Sequence, residues 1–260
     1  MFRFRDRASA QRRHHAWYGL AAAVVALSVA GPAGAACGDA IGPKVDWTGC
    51  SKRQLLLSGN DLSGAVMTKA MLTSTDFRKT KFVGATLREA DVTFARFDDS
   101  DLTGADLTKV VGWQTSFRNA TLVKAQLPTA QMSRATFTDA RMSEVSLTKS
   151  ELNRSDFSGA DLTGADISKA ELSRVNFSKA KLKSVDFGFS NLARAKFDNV
   201  DLADAKLAGA YLFLTEFDGA DLTKVTGLKQ EQLDLACGTK DTKLPPGLKP
   251  PKTWPCPDDD

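Results

Sequence analysis

Residues 155–177 read SDFSGADLTGADISKAELSRVNF, with apolar residues at Phe157, Leu162, Ile167, Leu172 and Phe177. The spacing is five. Followed outward, the series starts at Leu57 and runs to Leu222, in 34 positions with one lapse at Gly112 and no insertion. Two residues before each apolar position stands a small one, as at Ala65, Ala105, Ala165 and Ala220. A period of five suits neither common element. On an α-helix, successive members would sit about 140° apart and share no face. On a continuous strand, an odd spacing sends alternate members to opposite faces. The chain must therefore turn between quintets, so that every fifth side chain points to one axis. Glycines such as Gly64 and Gly164, two residues after the apolar position, supply the turns.

The number of quintets per circuit follows from the phenylalanines. Phe77, Phe97, Phe117, Phe137, Phe157, Phe177, Phe197 and Phe217 recur at intervals of 20. A residue type returning at every fourth quintet implies four quintets per coil and a stacked column of rings. With coils about 4.8 Å apart, the 33 quintets of residues 60–224 predict just over eight coils and a length on the order of 40 Å.

Quintets such as Ala-Asp-Leu-Thr-Gly at 160–164 and Ala-Asp-Leu-Thr-Lys at 105–109 and 220–224 resemble the A(D/N)LXX motif of pentapeptide-repeat proteins. The resemblance covers residues 55–227. It implies an all-β fold, a right-handed quadrilateral parallel β-helix. Residues 226–234, Thr-Gly-Leu-Lys-Gln-Glu-Gln-Leu-Asp, resemble the capping segment of exported members. Departures are Gly112, for which Val111 or Trp113 is placed to compensate, and the core residues Met67, Met132 and Met142.

The first 36 residues differ from the rest. Arg3, Arg5, Arg7, Arg12 and Arg13 precede an eleven-residue apolar run, Leu20–Ala30, and then Ala33-Gly34-Ala35-Ala36. A basic region, an apolar region and a small-residue cleavage site read as a secretory signal peptide. The run is too short for a membrane anchor, which needs about 20 apolar residues, so no stable membrane insertion is expected after cleavage. Gly34 replaces the aliphatic residue that a lipobox places three positions before its cysteine, which argues against lipidation of Cys37. The expected organisation is a signal over 1–36, an N-terminal cap over 37–54, the β-helix over 55–227, and a C-terminal cap over 228–260. In that last cap, Lys229–Ala236 is predicted to be a short helix, followed by a proline-rich extended tail.

Of the 35 basic and 31 acidic residues, five and one lie in the signal, which leaves 30 of each. A nucleic-acid partner is not supported by that balance. DNA mimicry toward a topoisomerase, known for some pentapeptide-repeat proteins, is disfavoured too: residues 60–224 hold 22 acids and 22 bases. Four cysteines in an exported chain suggest disulfides. Among three connectivities, Cys37–Cys50 with Cys237–Cys256 would staple one end each.

The only histidines, His14 and His15, lie in the signal, so no histidine triad or histidine-ligated metal is expected after cleavage, and no cofactor. Asp98, Asp99 and Asp101 cluster near a corner and define an alternative, a carbohydrate-active β-helix enzyme with a surface Asp pair; solvation is their plainer reading. On one side, Arg134, Arg154, Arg174 and Arg194 follow one another in four successive coils. Phe94 and Trp113 precede them, and Tyr211, Phe213 and Leu214 follow. Glu151 and Glu171 share the side and are placed to neutralise the row. The expected function is therefore non-catalytic: an exported scaffold offering this face to a protein or an envelope polysaccharide.

Overall fold

The computed structural model describes residues 37–256. The expected signal peptide, residues 1–36, and the acidic tail Asp258–Asp260 lie outside the described residues. Parallel bridges link residue i to residue i+20, from Asp46↔Val66 to Lys206↔Thr226, so the chain makes nine circuits between Asp46 and Thr226. Four sides result. They are named here by their core residues: the first carries Leu62 and Leu162, the second Met67 and Ile167, the third Leu72 and Leu172, and the fourth Phe77 and Phe177.

Each quintet donates three backbone bonds to the coils on either side of it. At the quoted stretch, Leu162 N–H donates to Lys181 C=O at 2.9 Å, Asp161 N–H to Ala140 C=O at 2.9 Å, and Gly164 N–H to Lys183 C=O at 2.9 Å. Each corner is a turn closed by one further bond, as from Ala165 N–H to Leu162 C=O at 2.9 Å. The third turn residue has positive φ while the second does not, which defines type II. Gly164 suits it at +71°. The glycine pattern nevertheless understates the rule. Among the described residues, twenty-seven other than glycine hold φ between 52° and 62°, every one at this same corner position of its quintet. An L-residue there costs about 1–2 kcal/mol, and the ladder on both flanks imposes the conformation.

The core lies where the five-residue spacing predicts. Leu62 through Leu222 are fully buried at nearly every apolar position, as are the small residues that precede them. The eight-membered phenylalanine column is continuous, with stacked rings whose centroids lie 4.6–5.4 Å apart. Hydroxyls at the small position are buried and satisfied: Ser155 Oγ donates to Met132 C=O at 3.1 Å and Thr115 Oγ1 to Val92 C=O at 2.9 Å. Such pairing removes the penalty that an unpartnered buried hydroxyl would carry.

Gly112 is not compensated by Val111 or Trp113. Both remain 40% exposed. Its place is filled from neighbouring levels. A Cβ built on Gly112 would meet Thr115 Oγ1 at 2.8 Å, Met132 Cε at 2.9 Å and Val92 Cγ2 at 3.0 Å. The long, flexible Met132 side chain reaches the gap from one coil on. Gly112→Ala is therefore expected to destabilise by about 1–3 kcal/mol through overpacking, although it restores a side chain to the apolar series. Chemical denaturation checks this; a variant more stable than the parent would show an empty site.

The ends depart from expectation in two ways. The coil begins earlier than 55, because Trp47 and Cys50 occupy core and small positions of two preceding quintets, and Ser51 already bridges Met71. Segment 37–54 is thus only partly a cap. Lys52 stands where the third side would carry an apolar residue; its Nζ lies 4.4 Å above the Trp47 ring and donates to Cys37 C=O at 2.7 Å. At the other end, the helix α1 spans only Gln230–Leu233, not 229–236. The chain must leave it at once to put Cys237 beside Glu216 and Lys243 beside Asp221 in the ladder. Leu228 and Leu244 pack against the core, Leu233 is fully buried, and Gln232 Nε2 donates to Leu207 and Ala210 carbonyls at 2.9 and 2.8 Å, closing the open edge. Gln230 and Lys249 exchange two bonds of 3.0 Å, which hold the proline-rich segment against α1.

Cys37–Cys50 and Cys237–Cys256 are the disulfides, each with Cα atoms 5.4 Å apart. Trp254 adds a bond from Nε1 to Ala236 C=O at 2.7 Å, with its ring over Gly238, where any Cβ would lie 2.6 Å from it. Among the described residues no helix is long and apolar enough to cross a membrane.

Candidate functional site

Three columns of side chains face outward on each side. On the third side the corner column holds Phe94 and Gln114, then Arg134, Arg154, Arg174 and Arg194, then Leu214. The four arginines occupy left-handed corners at φ 59–60°, so they project from the turns in register, about 4.8 Å apart. Arg134, Arg154 and Arg174 are exposed and Arg194 is half-buried. Phe94 and Trp113 meet edge to face at 5.1 Å, and Tyr211 and Phe213 lie parallel at 6.2 Å. The Arg134 guanidinium stands 5.8 Å from the Trp113 ring, within cation–π range. The structure thus brings all the candidate residues to one side, with an aromatic pair at either end of the arginine row.

On the other sides some charges are paired, while others, such as Lys109, Lys149 and Lys169 in the second side's corner column, form no ion pair among the described residues. Ion pairs run along the first, Lys181–Asp161 at 3.5 Å and Lys124–Glu144 at 3.6 Å; along the second, Arg88–Asp106 at 2.9 Å; and along the fourth, Lys196–Glu216 at 3.2 Å. Arg134, Arg154 and Arg174 form no ion pair among the described residues. Glu171, expected to neutralise the row, accepts from Asn191 Nδ2 at 2.9 Å. The reason is geometric. Glutamates occupy the column at the far edge of the side, and their nearest polar neighbours are the residues above and below.

The aspartates are held by the backbone. Asp61 Oδ1 accepts from Ser63 N–H at 2.9 Å and Asp221 Oδ1 from Thr223 N–H at 3.0 Å and its hydroxyl at 2.6 Å. The same arrangement recurs around the coil, with the carboxylate before a core residue capping the turn after it. These bonds favour the ionised form. The Thr223 hydroxyl and amide, with Lys243, hold Asp221 down at about 2, and Ser63 lowers Asp61 in the same way. Asp218 moves up, through desolvation and the nearby Asp198 charge. Depressed carboxylates stabilise the fold above about pH 4, the unfolded-state value. Their contribution is lost as pH falls through the folded value, near 2 for Asp221. Melting temperature is expected to fall between about pH 4 and pH 2. Asp221→Asn, which keeps the acceptor without the charge, should flatten its share of that slope in a pH series of melts.

The three clustered aspartates are likewise committed. Asp98 accepts from Ser116 Oγ and from Arg118 N–H at 3.2 Å, Asp99 from Asn119 Nδ2 at 3.3 Å, and Asp101 from Thr103 N–H at 3.0 Å. They serve turns and rungs.

A four-sided coil of quintets defines the class: a parallel β-helix built from five-residue repeats. Family profiles match the chain throughout the coil, "Pentapeptide repeat region" over residues 111–187 and "Pentapeptide repeats (8 copies)" over 56–88, 85–120 and 190–226. The chain belongs to the pentapeptide-repeat proteins. No curated protein matches its sequence. Among solved structures, it is similar to HetL, a pentapeptide repeat protein involved in heterocyst differentiation regulation in the cyanobacterium Nostoc sp. strain PCC 7120. Identity is 27%, over 79% of this chain and 93% of HetL, with a TM-score of 0.45. It is also similar to QnrB1, a plasmid-mediated fluoroquinolone resistance protein, at 18% identity over 75% of this chain and 93% of QnrB1, with a TM-score of 0.35. A pentapeptide repeat protein of the Arabidopsis thaliana thylakoid lumen shows 26% identity over 44% of this chain and 74% of its own, with a TM-score of 0.32.

Proposed function

We propose that the chain is an exported, non-catalytic binding scaffold whose third side is the working face. One observation carries the reading. Arg134, Arg154 and Arg174, none of them in an ion pair among the described residues, follow one another one coil apart with exposed aromatic pairs at both ends, Phe94 with Trp113 and Tyr211 with Phe213. Two terminal disulfides suit an oxidising compartment, and the amino-terminal sequence supplies a route to it. The balanced charge of the coil gives no support to DNA mimicry.

The test is capture from envelope extracts by the exported protein. Retention of a specific component should be lost with Arg154→Glu/Arg174→Glu and kept with Lys149→Glu/Lys169→Glu on the second side. Equal retention by both variants would move the working face elsewhere. Amino-terminal sequencing of the exported form should begin at Cys37, and an intact start at Met1 would refute cleavage.

A further inference from the structure

We infer that the third side is a lengthwise track for an extended polyuronate, an acidic glycan with one carboxylate per sugar. The inference rests on the working face proposed above and names its ligand class.

Trp113 and Phe213 share one column, 100 residues and hence five coils apart, about 24 Å along the axis. Between them that column carries Ser133, Asn153, Ser173 and Ala193, four small side chains that leave a shallow floor. The floor is held firm, since Asn153 Oδ1 accepts from Ser173 N–H at 2.9 Å. One edge of the floor is the arginine row. The other edge holds Gln131, Glu151, Glu171 and Asn191, mostly acceptors, so the charge is divided across the face rather than mixed along it.

A matching ligand has anions along one margin, hydroxyl donors along the other, and flat apolar ring faces for the aromatic ends. Polyuronates supply all three groups, with carboxylate and hydroxyls alternating along each margin of an extended two-fold chain. Their carboxylates suit the two-pronged guanidinium, their hydroxyls suit the glutamate edge, and the C–H faces of their rings stack on tryptophan and phenylalanine. Scale agrees as well. One arginine rises with each coil, about every 4.8 Å, a step comparable to the advance of one sugar along an extended chain. In an extended two-fold ribbon every second carboxylate faces the same margin, two coil spacings apart, so alternate arginines such as Arg134 and Arg174 meet carboxylates without the ligand bending. An acidic polypeptide would satisfy the arginines alone and leave both aromatic ends unused.

Affinity electrophoresis and calorimetry with polygalacturonate test the assignment, with dextran and polyglutamate as neutral and non-sugar controls. Polygalacturonate is expected to bind, and neither control to do so. Arg154→Ala/Arg174→Ala should weaken binding at least tenfold, and Trp113→Ala and Phe213→Ala several-fold each. All these residues are surface-exposed, so an unchanged melting curve will show that the variants fold. Affinity should climb with oligomer length and level off at about five or six sugars, when both aromatic ends are reached. Absence of polygalacturonate binding, equal binding of polyglutamate, or indifference to the double arginine variant would each overturn the glycan assignment. If an envelope protein is captured through the arginines while polygalacturonate fails, the glycan falls and the working face stands.

Discussion

Leu162→Lys is expected to cost at least several kcal/mol and to lower the melting temperature by about 10 °C or more. Leu162 is fully buried on the first side, and its backbone is bonded both to Lys181 and, through the turn, to Ala165. A lysine there has no carboxylate to meet and no water to reach. The axis is lined by leucine, methionine and phenylalanine at every level. Either the amine loses its proton or the coil opens, and both are costly. Because coils touch only their neighbours, the damage should be local, with lost exchange protection centred on residues 140–185. Thr129→Lys, at an exposed corner whose column already holds Lys109, Lys149 and Lys169, should melt like the parent. Unaltered melting of Leu162→Lys would contradict the inward orientation on which the fold depends.

Phe137→Ala is the second large effect, about 3–5 kcal/mol. Its ring is stacked at 5.1 Å on Phe117 and at 4.6 Å on Phe157, so truncation leaves a hole and also breaks two aromatic contacts, each worth about 0.5–1.5 kcal/mol. Phe137→Leu, the residue used on other sides, should recover most of the loss. Phe217→Ala is expected to cost less, because Phe217 has one stacked partner, Phe197 at 5.2 Å, and is otherwise covered by the cap. Denaturant titration of the three variants orders them. Equal losses at 137 and 217 would mean that the column does not act through nearest neighbours.

The coil was readable because its code is redundant: one wrong letter in 34, at Gly112, does not hide a period of five. The phenylalanine interval made the fourfold circuit readable for the same reason. Where the fold uses unusual residues, periodicity is silent. Trp47, Cys50 and Lys52 stand in register with the coil, yet none belongs to its usual alphabet, so the periodicity marks a start at 55 while the ladder begins near 45. The helix prediction overran because a helical pattern through 236 carries no sign that Cys237 is needed in the ladder. In the candidate site, the arginine row and its aromatic ends were visible as an interval of 20. Whether Glu171 faces the arginines or Asn191 was not, since it depends on which column of the side each occupies and how far the side chains reach.

The uninterrupted register of 20 bears on how such a molecule can change. A block such as residues 155–174 begins and ends at equivalent points of the circuit, so copying it in tandem would add one storey without disturbing those above and below. The copy would bring its own arginine to the row and its own serine to the floor, lengthening the track by one unit. Corners add a second freedom, because the rungs impose their backbone shape whatever side chain they bear. Reach can thus be altered by duplication and taste by point replacement, with the interior left as it is.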